Sequence, residues 1–355
     1  MSLRSILSAF SESTRDFLNL NRRLFFEESL TIITFVTKYF YDRVYSFVMS
    51  AAIENLTIVF GILARDCKAS LQCNMARVEE IGQAFKDYHV VVYENDSKDG
   101  TADMLKEWSA RNNHVVAICE TTHQTTIPQK SVKLPYPEKS VYRIKKMVRF
   151  RNRVLDEVRS RFEPDLFCFI DIDVERFSPK DVIDAIRQVP DDWGALFASG
   201  HFLYSKPDGT EMVPQFQYDS YAFVPDGVDP MKTGKWVISR KYHIVTSWYF
   251  NSLLRDRDYL PCRSAFNGIG IYRWEAIRDL KFDILQTPEL KNVSACLCEH
   301  VPFNGEIIKK GYRLYATRKI EVTYYHKNLT PMGRYKHWKK TLKARLFLAL
   351  GRHPY

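Results

Sequence analysis

The hydrophobic pattern changes character near residue 55. From Asn55 to Leu63 the chain reads NLTIVFGIL, a short apolar run rich in β-branched residues, which predicts a buried strand. Apolar residues then recur at helical spacing, at Leu71, Met75, Val78, Ile81 and Phe85, predicting a helix over 70–85. HVVVYEN predicts a second strand, and 99–112 a helix capped by Asp99 or Thr101. HVVAICE follows as a strand, YRIKKMVRFRNRVLDEVRSRF as a long basic helix, and DLFCFIDID as a further strand. Strands alternating with helices predict an α/β, Rossmann-like domain with a mainly parallel sheet flanked by helices.

The ends of the chain differ from this middle. Residues 1–52 carry helical patterns and no strand signal, predicting an N-terminal helical extension. Its most apolar stretch, Leu30 to Ile53, is interrupted by Lys38, Asp42 and Arg43, which argues against a transmembrane helix. The first residues lack the long apolar segment and small-residue site of a signal peptide. Trp193 to Arg318 is irregular, and the tail from Met332 is strongly basic. The predicted organisation is a helical region over 1–52, a catalytic domain over 53–330 and a basic amphipathic tail over 331–355.

Composition narrows the classes. A hydrophobic fraction of 45% is ample for a core, and a net charge of +10 favours anionic partners. These are phosphate-bearing small molecules, an acidic membrane surface or nucleic acid. No zinc-finger spacing or RNA-recognition signature is present, so nucleic acid is not expected. The cysteines are scattered, odd in number and without a CxxC pair, which predicts a reducing, cytoplasmic setting.

The candidate chemistry begins at Asp171 and Asp173. They follow the apolar run Leu166 to Ile170, at the carboxyl end of a strand, where ligands of open parallel sheets bind. Two residues apart on a strand, they share a face. Paired hard oxygens suit Mn2+ or Mg2+ held together with substrate phosphates. The competing reading is a polar strand end, or a cap for the helix after Ser178. A second motif, VVYENDSKDGTADMLKEW, places Glu94, Asn95 and Asp96 where they would hydrogen-bond a base and ribose. A plain strand–turn–helix connection is its alternative. In SAFNGIGIYRWEA, Asn267, Gly268 and Gly270 form a loop in which glycines would admit a sugar close to the backbone, or simply a turn. Asp226 and Asp229 are further candidate contacts.

These segments resemble a known family. YENDSKDGT, the basic helix and FIDID resemble nucleotide-sugar-dependent glycosyltransferases of the GT-A fold. ENDSKDGT, VRFRN and SAFNGIGIYR look most like the fungal capsule-associated α-1,3-mannosyltransferase family and its bacterial relatives, over about Asn55 to His326. The resemblance implies a nucleotide-sugar donor, GDP-mannose before a UDP-sugar, and a glycan or lipid-linked saccharide acceptor. It implies that Arg65 and Asp66 face the nucleotide with Glu94 and Asn95 opposite. Arg149, Arg151 and Asn152 would approach the diphosphate or sugar, where guanidinium groups clamp phosphate oxygens. Asp171 and Asp173 would hold the metal, with His326 completing its sphere. CLCEHVPFNGEIIKKGYRLYA resembles the family's acceptor-side acidic motif, with Glu299 as general base and His300 in place of a frequent second acid. Retention and inversion both stay open. The alternative activity is a nucleotidyl- or phosphotransferase on the same carboxylates, although no GxxxxGK[ST] loop is present.

In the tail, Trp338, Leu342, Leu346 and Leu350 fall on one helical stripe, flanked by Phe347 and Ala349 and by Lys336, Lys339, Lys340, Lys343 and Arg345. That pattern predicts a helix peripheral to an anionic membrane; packing of the stripe on the catalytic domain is the alternative.

Overall fold

Alternation of side chains along each central strand sets the architecture. The computed structural model describes residues 53–124, 137–205, 211–212, 217–328 and 331–352; the expectations for 1–52 lie outside them. The first half runs β1 (Thr57–Ala64), α1 (Lys68–Gly82), β2 (Asp87–Asn95), α2 (Thr101–Arg111), β3 (Val115–Glu120), α3 (Val141–Arg161), β4 (Leu166–Asp171) and α4 (Pro179–Gln188). On β1, Ile58, Phe60 and Ile62 point into one core with Leu71 and Val78 of α1. Val59 points into the other, with Val154 and Val158 of α3 and Phe167 of β4. Helices therefore cover both faces, which is why these strands read as continuous apolar runs.

The second half runs β5 (Trp193–Ser205), β6 (Glu211–Met212), β7 (Val224–Pro225), α5 (Arg240–Leu254), β8 (Tyr259–Ser264), β9 (Ile269–Arg273), α6 (Trp274–Ile277), α7 (Pro288–Lys291), α8 (His300–Lys309), β10 (Arg313–Asn328) and α9 (Pro331–Ala349). The sheet order is β3-β2-β1-β4-β9-β5-β10-β8-β7, with β6 on β5. β1 to β4 pair in parallel. β9 lies antiparallel between β4 and β5, and β10 then pairs in parallel with β5. The strands β1 to β5 and β10 thus all run one way, and the central sheet is mostly parallel. The region read as irregular contains β5, β8, β9 and α5; β9 is buried from Ile269 to Tyr272, and a strand buried on both faces shows no alternation.

Caps resolve two of the expectations. Ser178, not either aspartate of FIDID, caps α4, its Oγ accepting from Asp181 N at 3.2 Å. At α2 the cap is Gly100 at φ 89°, while Asp99 accepts from the Thr101 amide at 3.0 Å and hydroxyl at 2.6 Å. Among the described residues, no helix is long and apolar enough to cross a membrane.

Gly61 sets how closely α3 approaches the sheet. A Cβ there would lie 2.5 Å from Phe167 Cζ and 2.9 Å from Val154 Cγ1. Gly61→Ala is therefore expected to cost about 1–3 kcal/mol, the range for overpacking a filled core. Urea unfolding checks this, and an unchanged midpoint would show that the two side chains yield freely.

Candidate active site

The carboxyl ends of the parallel strands open onto one cavity of about 950 Å3. Asp171 ends β4, its amide donating to Gly268 O at 2.8 Å. Tyr324 of β10 donates its hydroxyl to Asp171 Oδ2 at 2.9 Å. Asn74 of α1, fully buried, clamps the next turn by donating to Ile172 O at 2.9 Å and Val174 O at 2.7 Å. With Ile172 turned into the core, Asp171 and Asp173 both line the cavity. Burial and the Asp173 charge push the Asp171 carboxyl up to about 7, against the pull of Arg151 and Tyr324. Burial raises Asp173 as well.

Only Asn267 and Gly268 form the loop before β9, which supports the carboxylates from behind; Gly270, expected in the same loop, lies within β9 opposite Phe169. Gly268 sits at φ 88°, and a Cβ on it would lie 2.7 Å from the Tyr324 hydroxyl, so this glycine makes room for the phenol that holds Asp171. Gly270 faces Tyr272 and Phe266. Asn267, fully buried at φ 53°, accepts from the Asp219 amide at 3.0 Å and donates to Ala198 O at 3.2 Å. None of the three lines the cavity. Asp219 does, and sequence patterning missed it, since it lies in a segment without strand or helix signal. Burial and the Glu299 charge push its carboxyl up to about 6.

At the ends of β1 and β2, Arg65, Asp66 and Asn95 line the cavity. Asp66, at φ 46°, accepts from Lys98 N at 2.8 Å, and Arg65 donates to Gln124 O at 3.0 Å. Glu94 and Asp96 do not reach the wall. Glu94 is buried and accepts from Ser97 N at 2.8 Å. Asp96 accepts from the amides of Thr122 and His123 at 2.8 and 2.9 Å, and from Thr122 Oγ and Asn95 Nδ2. Burial raises its carboxyl, but these bonds outweigh that and hold it well below the usual range. Both residues build the turn and lie off the cavity wall, so neither is placed to reach a ribose there.

The basic helix α3 divides by its periodicity. Arg149 is exposed and off the cavity wall. Asn152 exchanges two bonds with the backbone of Phe282, at 2.9 and 2.8 Å, and is a clip rather than a donor contact. Arg151 alone of the three turns inward. Its Nε donates to Glu299 Oε1 at 3.2 Å, and both side chains are about 5% exposed. Its guanidinium lies 5.0 Å from the ring of Phe169, 4.9 Å from Phe266 and 5.7 Å from Phe282. Glu299 and His300 both line the cavity, but Glu299 is held in this pair. His300 stacks on Phe266 at 4.2 Å, and neither ring nitrogen has a hydrogen-bond partner among the described residues. Burial and the Arg151 charge hold it well below its ordinary range, so it is neutral.

The far end of the cavity joins residues distant in sequence. Ser220 Oγ lies 2.7 Å from His243 Nδ1, and Lys139 Nζ meets His243 Nε2 and donates to Ile238 O at 3.1 Å. Burial pushes Lys139 down to about 8, and burial with the Lys139 charge pushes His243 down to about 3. Asp226 and Asp229 are turn residues, bonded to the amides of Gly227 and Met231 and away from the cavity. His326 lies on β10 with its backbone opposite Leu203, and its side chain is outside the described residues.

Residues 58–301 match the family model described as Cryptococcal mannosyltransferase 1. The chain belongs to this family. It is a glycosyltransferase, built on a mostly parallel sheet flanked by helices. No curated protein matches it significantly by sequence. Among solved structures it is similar to the mannosyltransferase PcManGT from Pyrobaculum calidifontis in complex with GDP-Man and Mn2+, at 9% identity over 88% of this chain and 74% of that one, TM-score 0.40. It is similar to S. aureus TarS 1-349 at 14% identity, over 79% of this chain and 63% of that one, TM-score 0.37. GalNAc-T7 with UDP, GalNAc and Mn2+ gives 11% identity over 77% and 44%, TM-score 0.39.

In this member of the mannosyltransferase family, the Arg151–Glu299 pair joins α3 to the start of α8 across the cavity floor. Removing one partner of a buried pair strands the other charge. Arg151→Met is expected to lose about 3–5 kcal/mol in urea unfolding. The double variant Arg151→Met/Glu299→Leu should recover most of that loss. A double variant as unstable as the single one would show that the aromatic box, not the charge pair, carries the energy.

Proposed function

We propose that the chain transfers a hexose, mannose before others, from a nucleoside-diphosphate sugar to a hydroxyl of a glycan or lipid-linked saccharide, with a divalent cation. The observation that carries this is the carboxylate pair Asp171 and Asp173 on the wall of a 950 Å3 cavity, in a chain of a mannosyltransferase family. The family match supports GDP-mannose as the donor, with a UDP-sugar as the alternative.

The donor set fits a hard cation. Asp171 is raised toward neutral by burial and by the Asp173 charge, and Asp219 adds to this. Carboxylate oxygens that repel one another in a shielded site are stabilised by a bound dication. Asp171 and Asp173 would hold Mn2+ or Mg2+, which as a Lewis acid supplies neutralisation of the departing diphosphate. The chain does the rest. Asn95 and Asp66 offer amide and carboxylate to base and ribose, and Arg65 and Arg143 offer guanidinium groups to phosphate oxygens. Neutral His300, with both ring nitrogens unpartnered among the described residues, offers a donor and an acceptor to sugar hydroxyls. Asp219 takes the base role first read for Glu299, because Glu299 is tied to Arg151, and a carboxylate of raised proton affinity accepts a hydroxyl proton more readily.

A panel of nucleotide sugars, followed for hydrolysis and transfer with and without Mn2+, tests the activity. Turnover with GDP-mannose, abolished by chelation, is expected; turnover of ATP but of no sugar donor would favour a nucleotidyl- or phosphotransferase. Asp173→Ala should lose at least about 10²-fold in turnover while its circular dichroism is unchanged. A folded variant with near-normal turnover sinks the metal assignment. Asp219→Asn should lower kcat by about 10²-fold or more with donor KM retained. If donor KM rises instead, Asp219 is a donor contact and the base lies elsewhere.

A further inference from the structure

Helix α9 carries apolar side chains on two faces. Its inward face is used by the fold: Ala344 is buried, Phe347 stacks on Trp236 at 6.4 Å, and Arg345 lies 4.8 Å from the ring of Trp248 on α5. Its outward face is not. Tyr335, Trp338, Leu342, Leu346 and Leu350 are 41–70% exposed and follow one another at three- or four-residue steps, a single stripe about 20 Å long. Phe347, read from sequence as flanking this stripe, belongs to the inward face. A soluble surface seldom carries so large a continuous apolar strip unless something covers it.

The charge around the stripe selects the occupant. Lys336, Lys339, Lys340 and Lys343 are exposed beside it, and residues 331–352 contain no aspartate or glutamate. Pairing with a second copy would bring these lysines together, and like-charge juxtaposition disfavours it. An anionic lipid surface satisfies both features: apolar side chains enter the acyl boundary and lysines stay at the headgroups.

The position of α9 gives this a consequence for catalysis. Lys241 lies over both Trp236 and Phe347, at 5.6 and 5.4 Å. Trp236 and Lys241 flank Ile238, and Ile238 and His243 line the catalytic cavity. The inward face of α9 is therefore fastened to the segment that forms one end of that cavity. We propose that the outward stripe of α9 seats in the interface of an anionic membrane and brings the Ile238–His243 end of the cavity to a lipid-linked saccharide acceptor. The acceptor half rests on the glycosyltransferase reading above; the membrane half stands on the stripe alone.

The test uses the full chain and its Leu342→Glu/Leu346→Glu variant, with phosphatidylcholine vesicles made with and without phosphatidylglycerol. The unaltered chain is expected to co-sediment with the anionic vesicles and to be released by salt, and the variant to bind about tenfold less or weaker. Donor hydrolysis in solution should be equal for both, since neither leucine touches the cavity. Absent binding by the unaltered chain, or equal binding by the variant, overturns the membrane seating. So does a dimer in light scattering that only the variant loses, without vesicle binding, which assigns the stripe to a second copy. For the acceptor, transfer to a lipid-linked saccharide in anionic vesicles should exceed transfer to the same saccharide without its lipid by about tenfold, and the variant should lose that preference. Equal rates overturn the acceptor half. Failure of donor hydrolysis in both proteins would instead be failure of the catalytic reading, with vesicle binding still deciding the seating.

Discussion

The buried Arg151–Glu299 pair is the interaction on which the site depends. Arg151 comes from α3, packed on the first half of the sheet, and Glu299 from the turn into α8, beside the second half. Their bond at 3.2 Å, inside an aromatic box of Phe169, Phe266 and Phe282, ties the two halves together under the cavity. A desolvated guanidinium is held only if a carboxylate and π faces replace water. The same charge lowers Asp171 and Asp219 toward ionisation and keeps His300 neutral. Burial dominates at all three groups, and this one cation modulates each of them.

Its pull is not sufficient for Asp171. Burial and the neighbouring Asp173 charge still raise that carboxyl to about 7. The fold holds the two acids together regardless, through Asn74 on one side and Tyr324 on the other. A shielded wall of carboxylates that raise one another's proton affinity is an arrangement that a bound dication would stabilise, which is what the proposed metal site rests on.

The loop Asn267–Gly268 shows how backbone conformation supports this wall. Both residues have positive φ, and between them they fix the Asp219 amide and leave space for the Tyr324 hydroxyl. A left-handed asparagine followed by a left-handed glycine is expensive for most side chains and tolerable here, because asparagine bonds locally and glycine has no Cβ. The strain sits behind the cavity wall, where it positions acids from β4 and from the segment after β6.

The periodicity of residues 55–173 determined the order of strands and helices in the first half, because the central strands β1, β2 and β4 are covered on both faces and each helix on one. It also placed Asp171 and Asp173 at a carboxyl end. Helix phase separates Arg151 from Arg149, a distinction the motif reading passed over: Arg151 lies seven residues from both Ile144 and Val158, on the buried face, whereas Arg149 does not. Tertiary structure alone decided the rest. Asp219 shares no pattern with β4, and Lys139 and His243 are 104 residues apart, so nothing local brings them together. Glu94, Asp96, Asn152 and Gly268 look like ligand residues in a string of letters, since polar groups and glycines serve turns and substrates alike. Only the finished fold shows which of their hydrogen bonds are already taken. On α9, both apolar faces are visible in the sequence, but which one meets the protein depends on the position of α5, a long-range contact that no local period encodes.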